Sequence, residues 1–301
     1  MRTLLMVAFA GLFAQLIDGS LGMGYGVTST SVLLATGMTP AIASASVHLA
    51  ELGTNVASGI SHTKLKNVDW WLVLRLGIPG AVGSFLGATV LSRISTEAAA
   101  PVMALILVGL GVFILSRFTW RPPQVSQAAS SPHGRRFLAP LGLVGGFVDA
   151  TGGGGWGPIS TTALVSAGRT APRTVIGSVD TSEFLVSLAA SLGFLFSLGH
   201  SGIRLDFVLA LLAGGLVAAP VAAWLVSRIP AQVMGSLVGG FVILTNLATL
   251  FGAFDVPAAA RLPITLSVLV AWAAAVAVGV RRLRRDRAQR PVAEPELVDA
   301  R

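Results

Sequence analysis

One segment occurs twice in this chain. GLFAQLIDGSLGMGYGVTSTSVLLATGMT (11–39) and GLVGGFVDATGGGGWGPISTTALVSAGRT (142–170) align at a constant offset of 131 and share 11 of 29 residues. Asp18 pairs with Asp149, Gly22 with Gly153, Gly24 with Gly155, Gly26 with Gly157, Ser29 with Ser160 and Thr30 with Thr161, while Tyr25 aligns with Trp156. Ala171 moves the offset to 132, after which Pro40/Pro172, Ser46/Ser178, Val47/Val179 and Glu51/Glu183 continue the match and His48 aligns with Asp180. LSRIS (91–95) echoes VSRIP (226–230). The period is far too long for a solenoid, so the chain reads as two copies of one large unit.

The unit is apolar. Of 301 residues, 53% are hydrophobic and 11% charged, against about 25% charged in a soluble domain. Two copies of a membrane-embedded unit suggest a transporter-type fold. The net charge of +8 does not indicate nucleic acid, because six arginines sit in RRLRRDRAQR (281–290), directly after an apolar run. Such a segment suits the anionic headgroups of a cytoplasmic leaflet. With no cysteine and four scattered histidines, disulfides and thiolate sites are excluded and no cofactor or metal is expected. The N-terminus, MRTLLMVAFAGLFAQ, mimics a secretory signal. Part of it belongs to the repeat, so it is expected to be retained.

A helix needs about 20 apolar residues to cross a bilayer. Residues 41–62, 70–91, 100–117, 174–198, 206–226, 232–253 and 263–280 meet that need. Residues 4–37 and 137–169 are also apolar, but the glycine clusters divide them into pieces of about 11–14 residues, short for a straight crossing. Each is either a broken crossing or a re-entrant hairpin. Hairpins place Lys64, Lys66, Arg117, Arg121, Arg135, Arg136, Arg169, Arg173, Arg228 and seven C-terminal arginines inside, and only Arg2, Arg93, Arg204 and Arg261 outside. Single crossings give a nearly even split, so the positive-inside rule selects hairpins. Each copy then crosses an odd number of times, and the two copies are inverted.

The expected fold is all-α and polytopic. It has two inverted repeats, each a glycine-broken re-entrant hairpin plus three transmembrane helices, and one extra C-terminal helix. The expected segments are 1–118 (first repeat), 119–136 (a Pro/Ser/Gln-rich cytoplasmic linker), 137–254 (second repeat), 255–280 (extra helix) and 281–301 (basic cytoplasmic tail).

A phosphate loop is excluded because no GxxxxGK[ST] is present. Close helix packing through Gly22/Gly26 and Gly153/Gly157 is an alternative use of the glycines, as it is for Gly80, Gly83 and Gly87. Consecutive glycines followed by Pro158 go further: they disfavour continuous helix and suit a reversal with a new helix start. Short helices are expected around 27–37 and 158–168. Their first N–H groups lack intrahelical partners and carry positive partial charge, and Ser29, Thr30, Ser160 and Thr161 add hydroxyls. Two such tips meeting at mid-membrane would form an anion site from Gly22, Gly24, Gly26, Ser29, Thr30, Gly153, Gly154, Gly155, Gly157, Ser160 and Thr161.

Ionisable residues at membrane depth cost roughly 2.5–3.5 kcal/mol and usually face a pathway. Asp18, Asp149, Glu51, Glu183 and Asp180 are therefore candidates for coupling or structural roles. Asp18 and Asp149 have capping of the reversal as an alternative, Glu51 and Glu183 interhelical bonding. His48 alone reads as a packed, hydrogen-bonded residue, and Arg75 as snorkelling to the interface.

DGSLGMGYG (18–26) and DATGGGGWGP (149–158), each followed by a Ser/Thr-rich helix start and then a proline, resemble the sulfite exporter TauE/SafE family over about residues 4–280. GGFVDATGGGGWGPISTTAL (145–164) is the most specific part. The resemblance implies a bacterial inner-membrane permease for sulfite, organosulfonates or related sulfur oxyanions, commonly moving them outward. The family's glycine motifs fall on Gly22, Gly24 and Gly26, and on Gly152, Gly153, Gly154, Gly155 and Gly157. The first copy departs with Leu21 and Met23, so the half-sites are expected to be unequal.

The expectation is a secondary transporter, not an enzyme, since neither HExxH nor GxSxG occurs. It would export a small sulfur oxyanion with the C-terminus cytoplasmic, and proton coupling through the acidic residues is compatible with it. The alternative is a passive anion channel, or a permease for another small organic anion. The expected partners are the anionic substrate and anionic lipid at the basic tail, with no nucleic acid; a homo-oligomer is compatible with the sequence.

Overall fold

Both glycine clusters interrupt helices, as expected. The computed structural model describes residues 2–120, 133–167, 169–199, 203–226 and 231–288, and these contain eleven α-helices, one π-helical turn and no strand. In the first copy α1 (Arg2–Leu21) ends at the cluster and α2 (Tyr25–Ala35) begins after it, followed by α3 (Pro40–Lys64), α4 (Trp70–Arg93) and α5 (Thr96–Trp120). In the second copy α6 (Arg135–Gly152) ends at the cluster. The π-turn (Gly157–Thr161) and α7 (Thr162–Ala167) then precede α8 (Pro172–Leu198), α9 (Leu205–Val226) and α10 (Ala231–Ala253). The last helix is α11 (Ala258–Ala288).

The element boundaries follow local chemistry. Pro40 and Pro172, matched in the repeat, open α3 and α8 at first-turn positions where no N–H is needed. Asp69 caps α4, its Oδ1 accepting from the Trp71 and Leu72 N–H groups at 3.0 and 3.2 Å. The reversals need positive φ, supplied by Gly22 (63°) and Gly24 (121°) in one copy and Gly153 (67°) and Gly154 (145°) in the other. The matched aromatic residues Tyr25 and Trp156 are the first helical residues after their breaks.

Three expectations are corrected. The arms before the breaks are not short pieces: α1 has 20 residues and α6 has 18, about 30 and 27 Å of helix. The upstream helix runs into the glycines and stops only where φ turns positive. Residues 2–19 are apolar and long enough to cross a membrane, as are 70–93, 96–120, 174–198, 235–253 and 258–285. Secondly, α3 is not among these six, because it carries the buried polar residues Ser44, Ser46, His48, Glu51, Thr54 and Asn55. Thirdly, α11 does not stop at 280 but continues through Arg281, Arg282, Arg284 and Arg285. Residues 121–132 of the expected linker and 289–301 of the expected tail lie outside the described residues.

The helices pack by exchange between the copies. Helix α1 of the first lies along α9 of the second, and α6 of the second lies along α4 of the first, while α3 meets α8 and α5 meets α10. Glycines allow the exchanged pairs to approach closely. A Cβ on Gly11 would strike the Leu211 carbonyl, and one on its repeat partner Gly142 would strike the Leu76 carbonyl. Gly80, Gly83 and Gly87 serve the packing role expected of them, with a Cβ at Gly87 falling 2.6 Å from the Phe147 carbonyl oxygen. Arg75 lies with its guanidinium carbon 3.7 Å from the Trp71 ring centroid. Helix α11 sits outside this core on α10, where the Trp272 Nε1–H donates to the Ser236 carbonyl at 2.9 Å.

Replacing Gly142 with valine should force α4 and α6 apart and cost about 1–3 kcal/mol. A lowered unfolding temperature of the detergent-purified protein tests this; an unchanged one contradicts the close α4–α6 contact.

Candidate functional site

The two glycine breaks touch each other. The Thr161 hydroxyl donates to the Gly22 carbonyl at 3.0 Å, and the Thr30 hydroxyl donates to the Gly153 carbonyl. Thr30 and Thr161 are repeat partners, as are Gly22 and Gly153, so each copy satisfies the broken backbone of the other in the same way. Glycine is required on both sides. A Cβ at Gly26 would lie 2.7 Å from the Gly154 Cα, and a Cβ at Gly157 would lie 2.7 Å from the Met23 Cα. The glycines therefore both break helices and permit close packing. At Gly154 a side chain would also meet the Val27 nitrogen. Met23 fills the corresponding place in the first copy and is buried, so the two halves are unequal as expected.

Outside contacts fix each tip. The Tyr25 hydroxyl donates to the Leu211 carbonyl of α9 at 3.4 Å. The fully buried Trp156 donates from Nε1 to the Val179 carbonyl of α8 at 3.1 Å. Asn246 of α10 donates to the Ser31 Oγ at 2.9 Å.

The expected oxyanion donors divide into two groups. Thr30 and Thr161 are committed to carbonyls. Their neighbours Ser29 and Ser160 are fully buried and have no protein partner at Oγ. Some first-turn N–H groups are taken by the chain's own carboxylates. Asp149 Oδ1 accepts from Gly155 N at 2.7 Å and Trp156 N at 3.0 Å, and Asp18 is bonded to the Tyr25 N–H. Both aspartates thus cap their reversals, with negative charge at the positive end of a helix.

The two acidic pairs and Asp180 lie together. Carboxylate oxygens of Asp18, Asp180 and Glu183 fall within 4.8 Å of one another, all three side chains buried. Glu51 approaches from α3: its Oε2 accepts from the Ser187 hydroxyl at 3.0 Å and lies 2.9 Å from His48 Nδ1. His48 Nδ1 is 3.8 Å from Asp149 Oδ2. His48 is the packed, hydrogen-bonded residue expected, and its hydrogen bond places it beside the acidic cluster. Its ring stacks on Phe194 with centroids 6.2 Å apart. Glu51 Oε1 and Asp149 Oδ2 have no protein donor.

Sequence reasoning passed over Ser58, His62 and Ser187. The Ser58 hydroxyl donates to Asp180 Oδ2, and His62 Nε2 is 3.6 Å from the same oxygen. A signal was present: His48, Glu51, Asn55, Ser58 and His62 recur at intervals of three and four, which marks one helix face. Asp180, Glu183 and Ser187 form the facing stripe on α8.

Comparison with known proteins agrees with this architecture. The family model described as "Sulfite exporter TauE/SafE" matches residues 7–249. A Bacillus subtilis (strain 168) protein named "Probable membrane transporter protein YtnM" is 50% identical over 276 residues, covering 92% of each chain. No solved structure matches. The chain belongs to the TauE/SafE family and is a multi-pass membrane protein of transporter type.

The reciprocal hydroxyl–carbonyl bonds should couple. A double-mutant cycle of Thr30→Val and Thr161→Val, read by thermal unfolding, should give each single change a loss of about 1–3 kcal/mol, the cost of a buried unpaired carbonyl. Single variants with unaltered stability would contradict the tip-to-tip contact.

Proposed function

We propose that this TauE/SafE family member is a secondary transporter that exports a small sulfur oxyanion, such as sulfite or an organosulfonate, across the bacterial inner membrane, coupled to protons. The observation that carries the reading is the meeting of two glycine-broken helix starts beside five buried carboxylates. The donors assigned to the anion are the unpartnered hydroxyls of Ser29 and Ser160, with the backbone of Gly24, Gly26 and Gly157; the N–H groups of Gly22, Gly153, Gly154 and Gly155 are instead taken by Asp18 and Asp149. Thr30 and Thr161 hold the two tips in register.

Electrostatics links the anion to protons. Two unit charges 4.8 Å apart repel by about 3–4 kcal/mol at an effective dielectric constant near 20. The three carboxylates of Asp18, Asp180 and Glu183 cannot all be ionised at that spacing when buried, still less beside an anion and the nearby Glu51 and Asp149. The anion and at least one proton are therefore bound together. For sulfite, though not for a singly charged sulfonate, the net charge moved favours export. A doubly charged anion with one proton carries one negative charge, and an inside-negative membrane drives it outward by about 2.3 kcal/mol per 100 mV.

The contact pattern also supports the membrane topology. Exchanged pairs such as α1 with α9 and α6 with α4 are what a two-fold relation produces. We place that axis in the membrane plane, with the C-terminus cytoplasmic and the Arg281–Arg285 segment at anionic lipid, because this topology concentrates basic residues inside.

Uptake of labelled sulfite into inverted vesicles, with sulfate, thiosulfate and taurine as competitors, tests the substrate class. Uptake should be saturable and displaced by a sulfur oxyanion; absence of displacement by any of them refutes it. The Ser29→Ala/Ser160→Ala double variant should raise the sulfite KM about tenfold or more through loss of two buried donors while its thermal stability changes little. Glu51→Gln with Glu183→Gln should flatten the pH dependence of uptake, and an unchanged profile argues against coupling at these residues.

A further inference from the structure

The acidic cluster is enclosed except at one end. Asp18, Glu51, Asp149, Asp180 and Glu183 are at most 7% exposed and His48 is fully buried. His62 is different: its side chain is 18% exposed. It lies in the last turn of α3, where Ser61, Thr63, Lys64, Leu65 and Lys66 are all exposed. Its Nε2 points to Asp180 Oδ2 at 3.6 Å, and Asp180 itself accepts from Ser58 and lies within 4.8 Å of Asp18. Glu183 lies with Asp18 and Asp180, and Glu51, His48 and Asp149 form a second connected set that reaches α8 through Ser187.

The repeat shows what the other half has at the same place. At the offset of 132, Asp180 corresponds to His48 and His62 to Phe194. The counterpart of the His62–Asp180 contact is thus the Phe194–His48 stack, in which Phe194 is fully buried. One half presents an imidazole that reaches the surface; the other presents an apolar seal. Gly177 makes room for that imidazole, since a Cβ there would lie 3.0 Å from His62 Nδ1. Nδ1 is buried without a protein partner, while Nε2 faces the cluster from a side chain that is 18% exposed, the combination of contact and access that a proton carrier needs.

We propose that His62 is the residue through which protons exchange between the buried carboxylates and one side of the membrane, with Phe194 closing the equivalent route on the other half. The step is a transfer of one proton from His62 Nε2 to Asp180 Oδ2, after which the neutral imidazole is reprotonated from the surface. The charged group facing His62 is Asp180 of α8; Asn67 bonds its backbone carbonyl, Lys64 and Lys66 lie at the end of its own segment, and Asp69 caps α4 beyond it. The proposal rests on proton coupling at the acidic cluster, not on the identity of the anion.

A test that needs no substrate separates the two. The full chain in lipid nanodiscs is subjected to a pH jump, and protonation of buried carboxyls is followed by time-resolved infrared absorption of the carboxyl C=O bands. His62→Phe and His62→Ala should each slow that protonation by about tenfold or more, and added imidazole should restore the rate in His62→Ala. An unchanged rate in both variants overturns the proposal. So does a slowing that imidazole leaves uncorrected, which is the signature of a structural role. If gating is found but sulfite does not move, the substrate reading fails and the route through His62 stands.

Discussion

Two hydrogen bonds related by the repeat, Thr30 to the Gly153 carbonyl and Thr161 to the Gly22 carbonyl, underlie the rest of the structure. Breaking a helix inside an apolar body leaves carbonyls and N–H groups without partners, and each buried orphan costs about 1–3 kcal/mol. Non-helical backbone survives at such depth only where protein or a polar cavity supplies what the helix no longer does. Here each copy supplies the other. The exchange of α1 and α6 onto the opposite copy follows from the same geometry, because the tips meet only if their arms cross over.

The contact also sorts the polar residues. A threonine from each copy is used to hold the tips, which leaves a serine from each beside them. The aspartate preceding each break returns to cap the helix that follows it. Those two caps bring carboxylates into a region already served by Glu51, Asp180 and Glu183. A fully ionised cluster is untenable at these distances, so under the proposed function a site that accepts an anion also has to manage protons. Substrate binding and proton binding are, on that proposal, two consequences of one arrangement.

Much of this was legible in the repeat. The all-helical character, most of the apolar spans and the breaks at the glycines were readable, because hydropathy and glycine act locally. The length of α1 and α6 was not, since helices persist into glycine when packing supports them. Nor was the different use of Ser29 and Thr30, because adjacent hydroxyls differ only in the direction that the folded helix gives them. His62 went unplaced, and the surroundings of His48 unread, for a related reason. Each is unremarkable alone, and the stripe joining them acquires meaning only when α8 lies against it with Asp180 and Glu183.

The two halves share a plan but differ in chemistry. Met23 stands opposite Gly154, His48 opposite Asp180, and His62 opposite Phe194. Such differences give a symmetric scaffold two unlike faces. The central claim is that anion and proton are bound together where the reversals meet. It is tested most directly by the proton balance of binding: sulfite is added to the purified protein in weakly buffered alkaline solution, where free sulfite is the dianion, and pH is followed with an indicator. The account predicts proton uptake in proportion to sulfite bound. Binding of sulfite without any uptake of protons would contradict it.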